Sequence, residues 1–517
     1  MSHDGVRQKA ASNNMETVQA GGAGIYDLLI VGGGINGAGI ARDAAGRGLS
    51  VLLVEKDDLA SHTSSASTKL IHGGLRYLEH YEFRLVRKAL IERERLLAIA
   101  PHLIRPLRFV LPQPSGERPG WLIRLGLFLY DHLGGRKTLP ASESVSLYGT
   151  PWGAGLAEKV RKGFAYWDCW VDDARLVVLN ALDAAERGAD IRTRTKLLSA
   201  RRDGEVWRAA IRSPDGEQTV RARAIVNAAG PWVADVIGAT EGIADELTPR
   251  LLKGSHIIVP RMFAGDHAYI LQNPDKRVIF AIPYEQEFTL VGTTELPFAA
   301  DADKPVIDAD EIAYLCESVN RYFARPITAA DVVHSYSGVR PLFDDGANKA
   351  SAVTRDYVLK LDAPDAPQYL SVFGGKITTY RRLAEQTLEK LQPFLPPMTP
   401  EWTADAALPG GDIPGADFTG FLAGVQRRWP FLPDGVAHRL ARAYGTRIDR
   451  VLGDARTLAD LGEELGGGLT AREVDYLVAH EWARTADDIL WRRSKLGLHT
   501  GPDMRAKLET HLAKENA

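Results

Sequence analysis

The chain has only two cysteines in 517 residues, Cys169 and Cys316. They form no C-x-x-C motif and no metal-ligand cluster, so no metal is expected and a reducing compartment fits best. Charge of one sign is also missing. The 63 basic and 66 acidic residues leave a formal net charge of -3, without the basic footprint of a nucleic-acid binder. No apolar run reaches the roughly 18 residues a membrane span needs, so any membrane contact is expected to be peripheral. The first 24 residues lack the apolar core of a signal peptide and are expected to form a disordered tail. What remains is ordinary for a soluble globular protein, 45% hydrophobic and 25% charged, with length for two or three domains.

Tyr26 to Val31 is a short apolar run without polar alternation after Asp27, the pattern of a buried parallel strand. Glycines follow, then a helical stretch from Ile35 to Arg47, then a second buried strand from Ser50 to Val54. The unit reads βαβ. Ala222 to Asn227 and Leu370 to Phe373 repeat the parallel pattern. Between Gly254 and Thr294, SHIIVP, RVIFAIP and FTLVGTT are separated by turn residues and suggest an antiparallel sheet. Residues 393–415 are rich in Pro and Gly and read as a linker. Beyond it the periodicity is helical, and Thr470-Ala-Arg-Glu473 resembles a capping box. The expected fold class is α/β, in part α+β. A discontinuous cofactor domain over 25–392 would carry an inserted β-rich substrate domain (about 100–175 and 250–345), and 416–517 would be a helical C-terminal domain.

Gly32-Gly-Gly34-Ile-Asn36-Gly37 matches G-x-G-x-x-G after a strand and at a helix start. Gly32 permits the tight turn, Gly34 lets backbone approach a pyrophosphate, and Gly37 lets helix and strand pack closely. The helix N-terminus offers free N–H groups to phosphate. Glu55, 23 residues after Gly32 at the end of the second strand, is placed to accept from the adenosine ribose. This motif alone leaves NAD and FAD open. Two later features favour FAD: the turn Asn227-Ala-Ala229-Gly230, and Phe373-Gly374-Gly375-Lys376-Ile377-Thr378, a second glycine turn able to reach the flavin end. Ser64-Ser65-Ala-Ser67 and His72-Gly73-Gly74 offer small polar groups, though taken alone they read as an ordinary Ser/Gly loop.

At this point longer motifs stand out: Ser64 to Glu82 (SSASTKLIHGGLRYLEHYE, with Lys69 inside it), Asp168 to Arg175, Lys253 to Ile257, Tyr336 to Leu342, Thr354 to Tyr357 and Phe373 to Tyr380. Together they resemble the aerobic FAD-dependent glycerol-3-phosphate dehydrogenase family, from about Tyr26 to about Leu498. His480-Glu-Trp and Ile489-Leu-Trp-Arg-Arg493 resemble the family's C-terminal domain. The resemblance implies a fold of the D-amino-acid oxidase type, non-covalent FAD contacted by the glycine turns and the 64–74 segment, and sn-glycerol 3-phosphate as substrate. It also implies electron transfer to a membrane quinone, at the inner face of the cytoplasmic membrane. A homodimer stays open.

Oxidising a secondary alcohol with flavin moves a hydride to N5 and requires a base for the hydroxyl proton. A phosphate pocket wants Arg, whose planar fork binds two oxygens. The family match puts Arg76, Tyr77, Arg340, Arg355 and Lys376 around the substrate and makes His256 the general base, with Arg340 next in line for polarising the reacting oxygen. Without that match, any one of 63 basic residues reads as a solvated charge and a lone His as structural. Trp121 to Tyr130 is strongly apolar. A buried helix is favoured over one dipping into a membrane interface, because Arg124 and Asp131 are seven apart and mark one solvent edge. Residues 427–456 hold seven Arg against three Asp, a face suited to anionic lipid or to plain solvent. The competing functions are an oxygen-using glycerol-3-phosphate oxidase, a flavin amine or amino-acid oxidase of shared fold, and a flavin-binding sensor or tRNA-modification partner without dehydrogenase activity, the tRNA version disfavoured by the missing basic footprint.

Overall fold

A computed structural model describes residues 24–113, 119–135, 137–243, 249–343, 356–362 and 367–515. The N-terminal tail and Arg355 lie outside the described residues.

Ile25–Val31 sits at the middle of the first sheet, parallel to Val51–Val54 on one side and Gly216–Asn227 on the other. Gln368–Phe373 and Asp190–Arg192 extend the parallel order outward. Val358–Leu361 and the hairpin Lys196–Asp203/Val206–Ser213 add antiparallel edges, making eight strands. The missing polar alternation in the first strand has a direct cause. Leu28 and Ile30 pack under the helices Ile35–Gly46, Asp173–Glu186 and Tyr380–Leu391. Leu29 and Val31 pack on the opposite face against Trp207, Ile211 and Tyr369. A strand covered on both faces has no polar side to show.

The second sheet has ten strands among the described residues and is built from two separate stretches of chain. Ile104–Pro112 and Lys162–Val171 pair antiparallel, and the former joins Ala268–Gln272 in parallel. Arg250–Pro260 pairs with both Phe288–Gly292 and His334–Leu342. The C-terminal region has its own core, formed by the helices Phe418–Arg428, Asp434–Tyr444, Ala471–His480 and Pro502–Glu515.

Residues 393–415 join these regions, but they are no free spacer. Trp402 lies on Gly46 and donates to the Asp43 carbonyl, Thr403 bonds Arg381, and Leu408 is buried. The helix after Thr470 begins where expected, yet without the expected capping box. The Glu473 carboxylate is taken by Arg439 (2.7 Å) and Tyr444 (2.8 Å) instead. Gly120–Leu133 is the larger correction, because it is not a buried helix. Arg124 and Asp131 do share an edge, but both are pinned to Ser142. The apolar face with Trp121, Leu122, Leu125 and Phe128 points outward, Trp121 being 70% exposed. Among the 427–456 arginines, Arg439 and Arg442 bind inside the molecule and Arg447 pairs with Glu186. The other four, Arg427, Arg428, Arg450 and Arg456, stay exposed, so the basic face read from sequence is reduced rather than removed.

Candidate active site

The two glycine turns, 338 residues apart, meet at one atom pair. The Asn36 amide donates to the Gly374 carbonyl at 3.0 Å. Around this junction lies a cavity of about 840 Å³, within the range of ligand and cofactor sites. It is lined by Gly32, Gly34, Asn36, Glu55, Ser64, His72, Gly74, Arg76, Tyr77, Ala229, Gly230, His256, Arg340, Gly374, Gly375, Lys376, Ile377 and Thr378.

Four predicted cofactor residues lie outside the lining, each for a physical reason. Gly37 faces the strand: a Cβ there would stand 1.9 Å from the Gly32 carbonyl oxygen, so its role is close packing. Gly73 turns its N–H to Tyr130 Oη at 2.8 Å. Ser65 donates to the His62 carbonyl. Lys69 is fully buried, with its ammonium on Asp173 (2.8 Å) and the Ser65 carbonyl. It braces the loop rather than reaching the cavity.

At one end Glu55 accepts from the backbone N–H of Gly33 (2.6 Å) and of Asp57 (2.8 Å). Burial raises its carboxyl above the ordinary value, against the pull of those two donors. Each oxygen keeps a further lone pair for a ribose hydroxyl. The wall here includes Thr195 to Leu198 and Trp232, with Lys56 Nζ 4.0 Å from the Trp232 ring centroid. Sequence reasoning missed these residues. Only Trp232, two positions after the Gly230 turn, carried any signal. Ser64 Oγ accepts from Ile35 N at the helix start.

At the other end, Arg250–Pro260 and His334–Leu342 run side by side, pairing Leu252 with Arg340, Gly254 with Gly338 and His256 with Tyr336. Period-2 alternation puts Gly254, His256, Gly338 and Arg340 on the cavity face. A Cβ on Gly254 would lie 2.9 Å from Arg340 Nη2, so the missing side chain makes room for the guanidinium. Lys376 Nζ stands 3.9 Å from the Tyr77 ring centroid. His256 is stacked on Tyr336 and held at Nε2 by Thr68 Oγ1 at 3.0 Å, while Nδ1 is buried without a partner among the described residues. Burial, with Lys69 and Arg340 adding repulsion, holds the His256 pKa down at about 3. Thr68 was missed although it lies inside the 64–82 motif.

The arrangement fits an extended dinucleotide. Backbone without Cβ atoms lies at both glycine turns, a carboxylate at one end and cations at the other. Three buried polar atoms, Asn36 Oδ1, Ser61 Oγ and His256 Nδ1, have no hydrogen-bond partner among the described residues and belong to residues lining the cavity.

Comparison with known proteins agrees with the geometry. Residues 27–381 match the family model of FAD dependent oxidoreductases, and 402–513 match the C-terminal domain of alpha-glycerophosphate oxidase. A glycerol-3-phosphate dehydrogenase of Pseudomonas aeruginosa is 55% identical over 496 residues, 96% of each chain. A D-erythritol 1-phosphate dehydrogenase of Brucella abortus is 55% identical over 93% of this chain and 96% of its own. The glycerol-3-phosphate dehydrogenase from Bacillus halodurans, solved in complex with FAD, superposes with a TM-score of 0.74 at 27% identity, covering 95% of this chain and 94% of that one. With both glycine turns, the two-sheet architecture and near full-length identity in agreement, the chain belongs to the FAD-dependent glycerol-3-phosphate dehydrogenase family.

Proposed function

We propose that the protein oxidises sn-glycerol 3-phosphate to dihydroxyacetone phosphate, with a membrane quinone as final acceptor. The observation that supports this reading is that Arg76, Arg340, Lys376 and His256 all line the cavity that the dinucleotide turns line. Bound FAD supplies the hydride acceptor. The chain's own residues supply the rest. The cations hold the phosphate, and Arg355 joins them on the sequence match. Arg340 stabilises negative charge on the reacting oxygen. His256 is neutral and takes the hydroxyl proton; burial is the main cause of its low basicity, and a phosphate dianion nearby offsets the added repulsion from Lys69 and Arg340.

The erythritol-phosphate relative is as similar as the glycerol-phosphate one, so the test compares both substrates. Anaerobic flavin bleaching is expected with glycerol 3-phosphate, more weakly with D-erythritol 1-phosphate, and not with glycerol. An unbleached spectrum with both phosphates would remove the assignment. Stoichiometric peroxide in air with no quinone requirement would favour an oxidase.

Among the described residues no helix is long and apolar enough to cross a membrane. The outward face of Gly120–Leu133 supports peripheral docking on an anionic membrane at its cytoplasmic side, with Trp121 and Phe128 entering the lipid interface. The short helix Leu75–His80, which carries Arg76 and Tyr77, packs against it and leads to exposed Tyr81 and Phe83. Trp121→Ser with Phe128→Ser is expected to weaken co-sedimentation with anionic vesicles by roughly 10- to 100-fold. Quinone reduction should fall with it, and dye reduction should stay parental. Parental vesicle binding would move the docking surface elsewhere.

A further inference from the structure

The Ile489–Arg493 segment has no part in the chemistry above, yet it touches both halves of the site. Asp488–Arg493 forms a π-helical turn, a rare element often found at functional positions. Arg493, with its side chain fully buried, grips both oxygens of Asp58, Nη1 to Oδ2 at 2.6 Å and Nη2 to Oδ1 at 2.8 Å. Arg492 Nε reaches the same Oδ2 at 2.6 Å. Asp58 is 3% exposed and ends the run Glu55-Lys56-Asp57-Asp58, whose first two residues line the adenosine end of the cavity.

The facing wall is tied to the same turn. Arg194 Nη2 bonds Asp488 Oδ2 at 2.5 Å. Burial opposes ionisation of that carboxyl, but the Arg484 N–H, Arg492 and Arg194 together hold it at about 2. Arg194 N then donates to the Asp57 carbonyl, and Thr195 N to the Glu55 carbonyl at 2.7 Å. Thr195 begins the Thr195–Leu198 wall. On its other side the turn presents Trp491, which stacks on His334 with ring centroids 4.2 Å apart and planes at 12°. His334 opens the strand that carries Tyr336 and Arg340.

We propose that the Asp488–Arg493 turn is a positioning device for both ends of the site. Arg492 and Arg493 set the adenosine-end loop through Asp58, and Trp491 sets the substrate strand through His334. Buried ion pairs add little net stability compared with apolar packing, and their best-attested use is to fix one arrangement. Here the pairs fix the loop that holds Glu55. The cofactor half of the inference stands apart from the substrate. The strand half rests on the proposed function.

The test uses the full-length holoenzyme with Arg493→Met, Arg493→Lys, Arg492→Met and Trp491→Leu. Flavin release is followed by fluorescence on dilution, folding by circular dichroism and thermal unfolding, and KM and kcat with a soluble dye acceptor. Arg493→Met and Arg492→Met are expected to release FAD roughly 10-fold faster, with Arg493→Lys in between. Trp491→Leu is expected to leave release near parental and to raise KM for glycerol 3-phosphate several-fold with kcat little changed. Lower melting temperatures with parental flavin release and parental KM would overturn the inference and leave the turn a purely structural brace. If Arg493→Met does not fold, Arg492→Met, whose side chain is 15% exposed, decides the cofactor half in the same way. Flavin release needs no substrate, so failure of the substrate assignment appears separately, as absent bleaching.

Discussion

Gly34→Val is expected to give a folded protein that retains no FAD. Gly34 is the residue before the helix Ile35–Gly46, with φ -80 and ψ -175, a backbone conformation open to any residue. A Cβ there would meet one heavy atom closely, Ser64 Oγ at 3.0 Å, and a hydroxyl can shift by that much. The fold therefore has no reason to fail. The cofactor does, because the added side chain enters the space between the helix start and the Ser64 loop, where the pyrophosphate must approach backbone. Gly37→Val is the contrast. Its Cβ would collide with the Gly32 carbonyl at 1.9 Å, so that variant loses helix–strand packing and the fold along with the flavin. The measurements are flavin absorbance per mole of protein and circular dichroism on both variants. A yellow, fully loaded Gly34→Val protein would place the pyrophosphate elsewhere.

The parallel core was legible because its signals are local. A glycine turn, a strand buried on both faces and the helix that follows are fixed by residues a few positions apart, so spacing alone places them. The bond from Asn36 to Gly374 was not legible, since nothing near position 36 announces a partner 338 residues away. Lys69 hid its partner for the same reason. It lies inside a cofactor-like motif, and only the fold shows that Asp173 claims its ammonium.

The helix Gly120–Leu133 failed differently. Its pattern gives an apolar face and a polar edge, but periodicity does not say which side meets protein. Ser142 settles it by holding Arg124 and Asp131, which turns Trp121 and Phe128 outward. The Thr470 capping box shows a motif outbid by long-range pairing, because Glu473 gains more from Arg439 and Tyr444 than from a helix-end amide.

Arg340→Ala is expected to lower kcat/KM for glycerol 3-phosphate by about 10²–10³, mostly in kcat, the usual cost of removing one donor aimed at developing charge. Arg340 projects into the space that Gly254 leaves open, on the same sheet face as His256. A cation there meets the reacting oxygen, whose negative charge grows as its proton leaves and is discharged into the carbonyl as the hydride departs. The interaction is therefore stronger in the transition state than in the ground state, the condition for an effect on kcat. Lys376→Met should behave differently. Lys376 sits over the Tyr77 ring within the second glycine turn, and a phosphate held there carries its charge throughout the reaction. Its loss should chiefly raise KM. Arg355→Ala, on the sequence match, belongs with Lys376. FAD content should survive Arg340→Ala, since that residue lies on the sheet and not in either glycine turn. Steady-state kinetics with a dye acceptor, alongside flavin occupancy, separate these outcomes. Near-parental kcat/KM for Arg340→Ala would return that side chain to an ordinary solvated charge and leave His256 without the partner assigned to it.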